Sequence, residues 1–430
     1  MPTGSVRLQG QIKVPGDKSI SHRALLFSVL TRGTSTVTGL SPAEDCLSTI
    51  RCLRELGLTL ESGSQPGSIR VSSPGLSALT GPAQALAAGN SGTTMRLLSG
   101  ILAGRPFQTT LDGDNSLRSR PMSRVLGPLT DMGASIDYQG RSGFAPFTIR
   151  GTTLRAIVFD SPVASAQVQT ALLLAGLQAE GETVVKVPGM IRDHTVRLFK
   201  HIGVPHRQDT NGTVAVAKLA EPLAPYNADV PADISSAAFF MVAAVLLPGS
   251  DLVIRNVGVN PGRRLVFDVL KRMGADLSLD NEREQAGEPV GDITVRYAGR
   301  LKGTTVGEAE IAAGIDEIPA LALAGALCDG AFTVAGAAEL RVKESDRLSA
   351  IVANLKGAGA TITELADGFR IEGSKELAGG SSWATFDDHR LAMAGLIANL
   401  ACNKPVATQN LDCVRISYPG FQNDLEMLLS

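Results

Sequence analysis

The 430-residue chain is 44% apolar and only 19% charged, which supplies sizeable cores over a length of two to three domains and excludes a disordered or fibrous protein. Its 46 glycines have no every-third-residue period, so they read as turns and close backbone approaches rather than collagen. A net charge of -2 excludes an affinity built on neutralising many nucleic-acid phosphates, and any anion must therefore be bound locally.

The five cysteines, at 46, 52, 328, 402 and 413, form no CxxC pair, and their odd number does not suit a closed disulfide framework. A reducing compartment is expected. Neither an apolar signal core nor an apolar run of 18 residues is present, so the expectation is a cytoplasmic chain that does not span a membrane.

In chain order, six small-residue-rich apolar runs are each long enough for a helix and each followed by a turn and a strand-like segment. They begin at SISHRALLF, NSGTTMRLL, SAQVQTALL, ISSAAFFMV, DEIPALALA and DHRLAMAGL, and their turns fall at Gly33, Gly104, Gly181, Gly249, Gly330 and Asn403. This spacing of about 70 residues is the scale of one α/β unit rather than a solenoid repeat. A second helix in most units ends on a glycine stop, as in LRELGLTL, LTDMGASI, FKHIGVPH, LKRMGADL and LKGAGATI. Each unit thus reads strand, buried helix, strand, amphipathic helix, strand. The first helices are apolar nearly all round, which requires burial on every face. Six units exceed one core, so two groups of three are expected, dividing near Asn227 to Ala232 in EPLAPYNADVPADIS.

Polar residues and glycines cluster just before the buried helices, where free N–H groups and the positive dipole end favour anions. Three such helices per domain pointing one way would make a facing crevice an anion trap. Lys18, Ser19 and Arg23 in PGDKSISHR suit phosphate or carboxylate, although the segment fails the P-loop spacing and an ordinary capped helix is equally compatible. GNSGTTMR offers Gly89 and Gly92 for close backbone approach, and DGDNSLRSRPM presents the planar forks of Arg118 and Arg120. Ser165-Ala166-Gln167 and Arg192-Asp193-His194-Thr195 are compatible with plain helix starts. Asp316 in GIDEIP together with Lys343 and Glu344 in RVKESDR offers a base, an acid and a cation for proton transfer near an anion. Arg390 follows Asp387-Asp388-His389 at the sixth helix, where Asp can cap. The five histidines show no metal-ligand pattern, and neither GxSxG nor GxGxxG occurs, so no metal or cofactor is expected.

PGDKSISHR, GNSGTTMR, DGDNSLRSRPM, RVKESDR and DDHRLAM, in that order along essentially the whole chain, closely resemble the 5-enolpyruvylshikimate-3-phosphate synthase family. The resemblance implies an α/β fold of two inverse domains, each of three βαβαββ repeats around buried parallel helices, hinged around an interdomain cleft. Domain 1 would be residues 1–14 plus 231–430, and domain 2 residues 15–230. It implies transfer of the enolpyruvyl group of phosphoenolpyruvate to the 5-hydroxyl of shikimate 3-phosphate, with release of phosphate, by a monomer that needs no cofactor. Lys18, Gly92, Arg120, Gln167, Glu344, Arg347 and Arg390 would serve phosphoenolpyruvate. Lys18, Ser19, Arg23, Ser165, Ala166, Gln167, Arg192, Asp316 and Lys343 would serve shikimate 3-phosphate, with Asp316, Glu344 and Lys18 catalytic.

Three positions depart from the pattern of some members. Leu97 stands where they have Pro, and Ala166 replaces a serine, with Arg192 the candidate to compensate. Ile416 stands where they have a lysine, with Arg415 or Lys343 the candidate replacements. Gly92 implies room for glyphosate, and Gly92→Ala should crowd that anion. The rivals are the sister enolpyruvyl transferase of UDP-N-acetylglucosamine, whose loop cysteine has no counterpart between Cys52 and Cys328, and a non-catalytic anion-binding or RNA-end-processing protein on similar repeats.

Overall fold

Residues 6–65 and 67–430 are described by a computed structural model; of the segment 1–14 assigned to domain 1, residues 1–5 lie outside the described residues. The chain divides into two compact units, Gly16–Val230 with Gln285–Glu288, and Met1–Pro15 with Pro231–Glu284 and Pro289–Ser430.

In the unit built on Gly16–Val230, the buried helices are Lys18–Leu26, Gly92–Leu102 and Ala166–Gly176. Each is followed by a strand that centres a four-stranded sheet of mixed direction. The helices pack with little side chain between them. A Cβ on Gly100 would lie 2.0 Å from the Ala171 carbonyl oxygen, so only glycine permits this approach of the second helix to the third. Polar pairs near the helix starts show that the three run parallel: Gln167 Nε2 donates to Thr93 Oγ1 at 2.8 Å, and Arg23 Nη2 donates to Thr170 Oγ1 at 3.0 Å.

In the other unit, Ile234–Leu246, Ile318–Ala326 and His389–Ala401 are the buried helices. Their starts converge in the same way, with Ser235 bonded to Glu317 and Arg390 to the Asp316 carbonyl oxygen. The strand Gln9–Ile12 pairs in parallel with Asp251–Gly258, which places the N-terminal segment in this unit's first sheet. Phe239 meets Phe421 edge to face and Phe240 meets it at a tilt, at centroid distances of 5.9 and 5.1 Å, so the C-terminal helix Phe421–Leu428 closes the core.

The five second helices predicted from glycine stops are present, and Gly57, Gly133, Gly203, Gly274 and Gly359 all have positive φ, the left-handed conformation that ends a helix at little cost to glycine. The expectation of six complete repeats fails at the sixth. Its sheet has only two short parallel strands, Ser382–Trp383 and Ala407–Thr408. Beyond Thr408 no alternating apolar segment follows; a 3-10 stretch at Leu411–Ile416 instead turns Cys413, Val414 and Tyr418 onto the core. A second difference concerns residues 285–288, the tip of the hairpin Asp276–Gln285 and Glu288–Arg296, assigned with 231–430 but clustered with Gly16–Val230. The carboxylate of Glu288 accepts from His194 Nδ1 at 2.7 Å with both side chains 2% exposed, a buried polar contact that anchors the tip.

Candidate active site

In the Gly16–Val230 unit the polar motifs gather at the starts of the three parallel helices. Asp17 caps Lys18–Leu26 by accepting from the Ile20 N–H, Ser91 caps Gly92–Leu102 through Thr94, and Ser165 caps Ala166–Gly176 through Val168. The backbone therefore sets Lys18, Gly92 and Ala166 in the first helical turns, where N–H groups remain available to an anion. Lys18 Nζ is held 2.9 Å from Asp45 Oδ2. Arg120 Nη2 donates to Asn90 Oδ1 and Ser116 Oγ at 2.7 and 3.0 Å, which ties the DGDNSLRSRPM loop to the start of the second helix. Its neighbour Arg118 makes a two-point contact with Asp112 and is the solvated member of the pair.

Arg23 is 2% exposed, and its three nitrogens donate to Thr195 Oγ1, the Ser19 carbonyl oxygen and Thr170 Oγ1. Its guanidinium is locked among these helices, with Ser19 half-buried beside it. Gln167 bridges Arg96 Nη1, from which it accepts at 2.8 Å, and Thr93. Arg96 also donates to the Pro121 carbonyl oxygen. Arg192 lies half-buried in the loop before the helix His194–Ile202. Further in, His22 Nδ1 meets Thr49 Oγ1 at 2.7 Å, and Thr49 meets Thr94, which bonds Ser91. Burial pulls the His22 pKa down to about 3 despite the nearby Asp45 carboxylate, so the ring is neutral.

In the other unit a charged cluster surrounds Arg347, whose side chain is 1% exposed. Its Nε donates to Asp388 Oδ2 at 2.7 Å, Nη2 to Glu344 Oε2 at 2.6 Å, and Nη1 to Asp316 Oδ1 at 3.2 Å. Burial opposes the charge, but Asp388, Glu344 and Asp316 outweigh it and hold the guanidinium pKa above its ordinary value. The sequence suggested a Lys343–Glu344 pair facing Asp316. The geometry differs: Glu344 turns to Arg347, its i+3 neighbour, while Lys343 Nζ lies 3.8 Å from Asp316 Oδ1. Arg390 Nη1 donates to the Asp316 carbonyl oxygen at 3.1 Å, and Asp388 both caps this helix and grips Arg347. Asp316 thus sits among three cations. The cluster can hold an anion and move a proton at one place.

The sequence reading did not single out Asp45, Thr170, Arg263 or Glu317, all of which tie these groups together. Only Asp45 and Glu317 carried a signal, as acids near a helix start. Ile416 is half-buried and Arg415 exposed. Among the described residues, no group of three or more His, Cys, Asp or Glu is arranged to hold a metal ion, and no helix is long and apolar enough to cross a membrane.

A sequence profile of EPSP synthase (3-phosphoshikimate 1-carboxyvinyltransferase) matches residues 2–425. The chain is 48% identical to the 3-phosphoshikimate 1-carboxyvinyltransferase of Pelotomaculum thermopropionicum, covering 98% of this chain and 97% of that one. It is 46% identical to that of Citrifermentans bemidjiense over 99% and 97% of the two chains. The solved EPSP synthase of Acinetobacter baumannii superposes with a TM-score of 0.88 at 41% identity, covering 99% of this chain and 98% of that one. The chain belongs to the EPSP synthase family.

Proposed function

We infer that this chain is a 3-phosphoshikimate 1-carboxyvinyltransferase, which transfers the enolpyruvyl group of phosphoenolpyruvate to the 5-hydroxyl of shikimate 3-phosphate in aromatic biosynthesis. The observation that carries the assignment to residues is the Asp316 cluster, where a carboxylate lies within 4 Å of Lys343, Arg347 and Arg390. In the proposed mechanism the substrate hydroxyl oxygen attacks C2 of phosphoenolpyruvate, and its proton passes to Asp316. C3 gains a proton from Glu344, which forms the tetrahedral intermediate. In the second step C3 returns that proton to Glu344, the C2–O bond to phosphate breaks as the C=C bond is restored, and the leaving phosphate takes up the proton held by Asp316. Neighbouring carboxylates favour the positive charge that develops at C2, and preplaced cations hold the anionic reactants without reorganisation.

The same reading gives Lys18, Gly92, Arg120 and Gln167 to the phosphoenolpyruvate anion, and Arg347 and Arg390 to its carboxylate. Ser19 and Arg23 take the carboxylate of shikimate 3-phosphate, and Ser165, Ala166, Gln167, Arg192 and Lys343 its phosphate and ring. Four of the five N–H groups of Arg347 donate to Asp388, Glu344 and Asp316, so the second N–H of Nη1 is the one to meet the phosphoenolpyruvate carboxylate. Glyphosate, similar to phosphoenolpyruvate in charge and length, is the expected inhibitor, and a cytoplasmic monomer is the expected form. The test is phosphate release from phosphoenolpyruvate. It should require shikimate 3-phosphate and be absent with UDP-N-acetylglucosamine; release with the UDP-sugar alone would overturn the assignment.

A further inference from the structure

Glu317 follows the proposed proton carrier directly, and its side chain is fully buried. Its Oε1 accepts from Ser235 Oγ and lies 3.6 Å from Arg263 Nη1 and 3.9 Å from Arg390 Nη1. Arg263, also buried, donates to Ser235 Oγ at 2.6 Å and to Asp233 Oδ1 at 3.2 Å. One carboxylate oxygen therefore links the starts of all three buried helices of this unit. The other oxygen, Oε2, has no hydrogen-bond partner among the described residues. Gly314 makes room for it, since a Cβ there would stand 3.1 Å from Oε2 and 2.4 Å from Leu265 Cβ.

A carboxylate kept only for fold stability would be expected to have both oxygens satisfied, because a bare buried acceptor opposes folding. The arrangement here spends its charge in one direction, toward the two guanidinium groups. We propose that Glu317 is a positioning residue for the transfer reaction: with Arg263 and Ser235 it anchors the Asp316 peptide and draws the Arg390 guanidinium into the orientation that receives the phosphoenolpyruvate carboxylate. This rests on the assignment of Arg390 to that carboxylate. The geometry supports a division of labour at Arg390, whose Nη1 is held by the Asp316 carbonyl oxygen and the Glu317 charge, while its Nε stands 3.8 Å from Asp316 Oδ1. Two weak tethers on one side leave the planar fork oriented but exchangeable.

Glu317→Gln preserves volume and removes the charge. It is expected to raise KM for phosphoenolpyruvate about tenfold while KM for shikimate 3-phosphate stays within about twofold, with the circular dichroism spectrum unchanged. Arg390→Lys is the reference for the underlying assignment and is expected to raise the same KM at least as much. If Arg390→Lys does so and Glu317→Gln leaves both KM values unchanged, or raises both equally, the positioning role is overturned and the assignment of Arg390 stands. If Arg390→Lys leaves KM for phosphoenolpyruvate unchanged, the assignment fails and the inference falls with it. Should Glu317→Gln not fold, Ser235→Ala removes the hydroxyl that links Arg263 to Glu317. It is expected to give the same selective change at about threefold, and an unselective change or none would again overturn the inference.

Discussion

Gly92→Ala perturbs the proposed phosphoenolpyruvate site by one methyl group, and the consequence can be worked out from the neighbours. A Cβ at position 92 would lie 2.7 Å from Arg96 Nη1 and 3.7 Å from Leu117 Cδ1. The leucine contact is ordinary, but the guanidinium must retreat by about 0.7 Å to reach normal van der Waals separation. Arg96 Nη1 donates to Gln167 Oε1 at 2.8 Å, so that retreat stretches the bond to the limit of hydrogen bonding. Losing a charged hydrogen bond costs about 1.5–3 kcal/mol, and Ala over Gly in a helix returns up to about 1 kcal/mol. Net destabilisation is then about 0.5–2 kcal/mol, and Gln167 is left held by Thr93 alone on this side. The expected result is a rise of at least tenfold in both KM for phosphoenolpyruvate and the glyphosate concentration for half inhibition, and a fall of a few degrees in Tm. Steady-state kinetics with and without glyphosate, together with a thermal melt, read all three. Unchanged inhibition with unchanged KM for phosphoenolpyruvate would refute the placement of that anion beside Gly92.

Glu344→Gln should lower kcat by at least about a hundredfold, the usual scale for removing a general acid or base, while the Kd for shikimate 3-phosphate by calorimetry stays within about twofold. Asp388→Asn keeps the helix cap but removes the two-point anionic partner of buried Arg347, so it should destabilise the Pro289–Ser430 side of the protein by about 3 kcal/mol in urea unfolding. For His22 the folded pKa of about 3 lies below the ordinary 6.5, so between these values the unfolded chain binds more protons. Its contribution is complete above pH 6.5 and is lost toward pH 3, by about 1.4 kcal/mol per pH unit. The pH dependence of unfolding should be flatter by that slope in His22→Asn, compared at pH 7 and pH 4.

Much of the architecture was legible because it rests on local patterns. Runs such as FFMVAAVLL have no polar face to show water, and a glycine after an amphipathic run ends a helix whatever surrounds it. The polar residues at the helix starts were visible for the same reason. The sixth repeat misled because its apolar helix and turn match the others; the absence of a sixth glycine stop and of alternation after Thr408 separates it, and short strands give a weak signal.

The pairing of charges was a different matter. Adjacency in the chain suggested Lys343 with Glu344, yet the Glu344 carboxylate meets Arg347, three residues on at the helix start, at 2.6 Å. Arg263 carried no signal at all, because its partners Asp233, Ser235 and Glu317 are at least 28 positions away. The amino-acid order alone determined which segments bury themselves, where helices begin and stop, and which residue types stand at those starts, since each follows from periodicity and capping within a few residues. Which carboxylate meets which guanidinium was decided only when distant segments packed, because ion pairing falls off over a few ångströms and takes no account of distance along the chain.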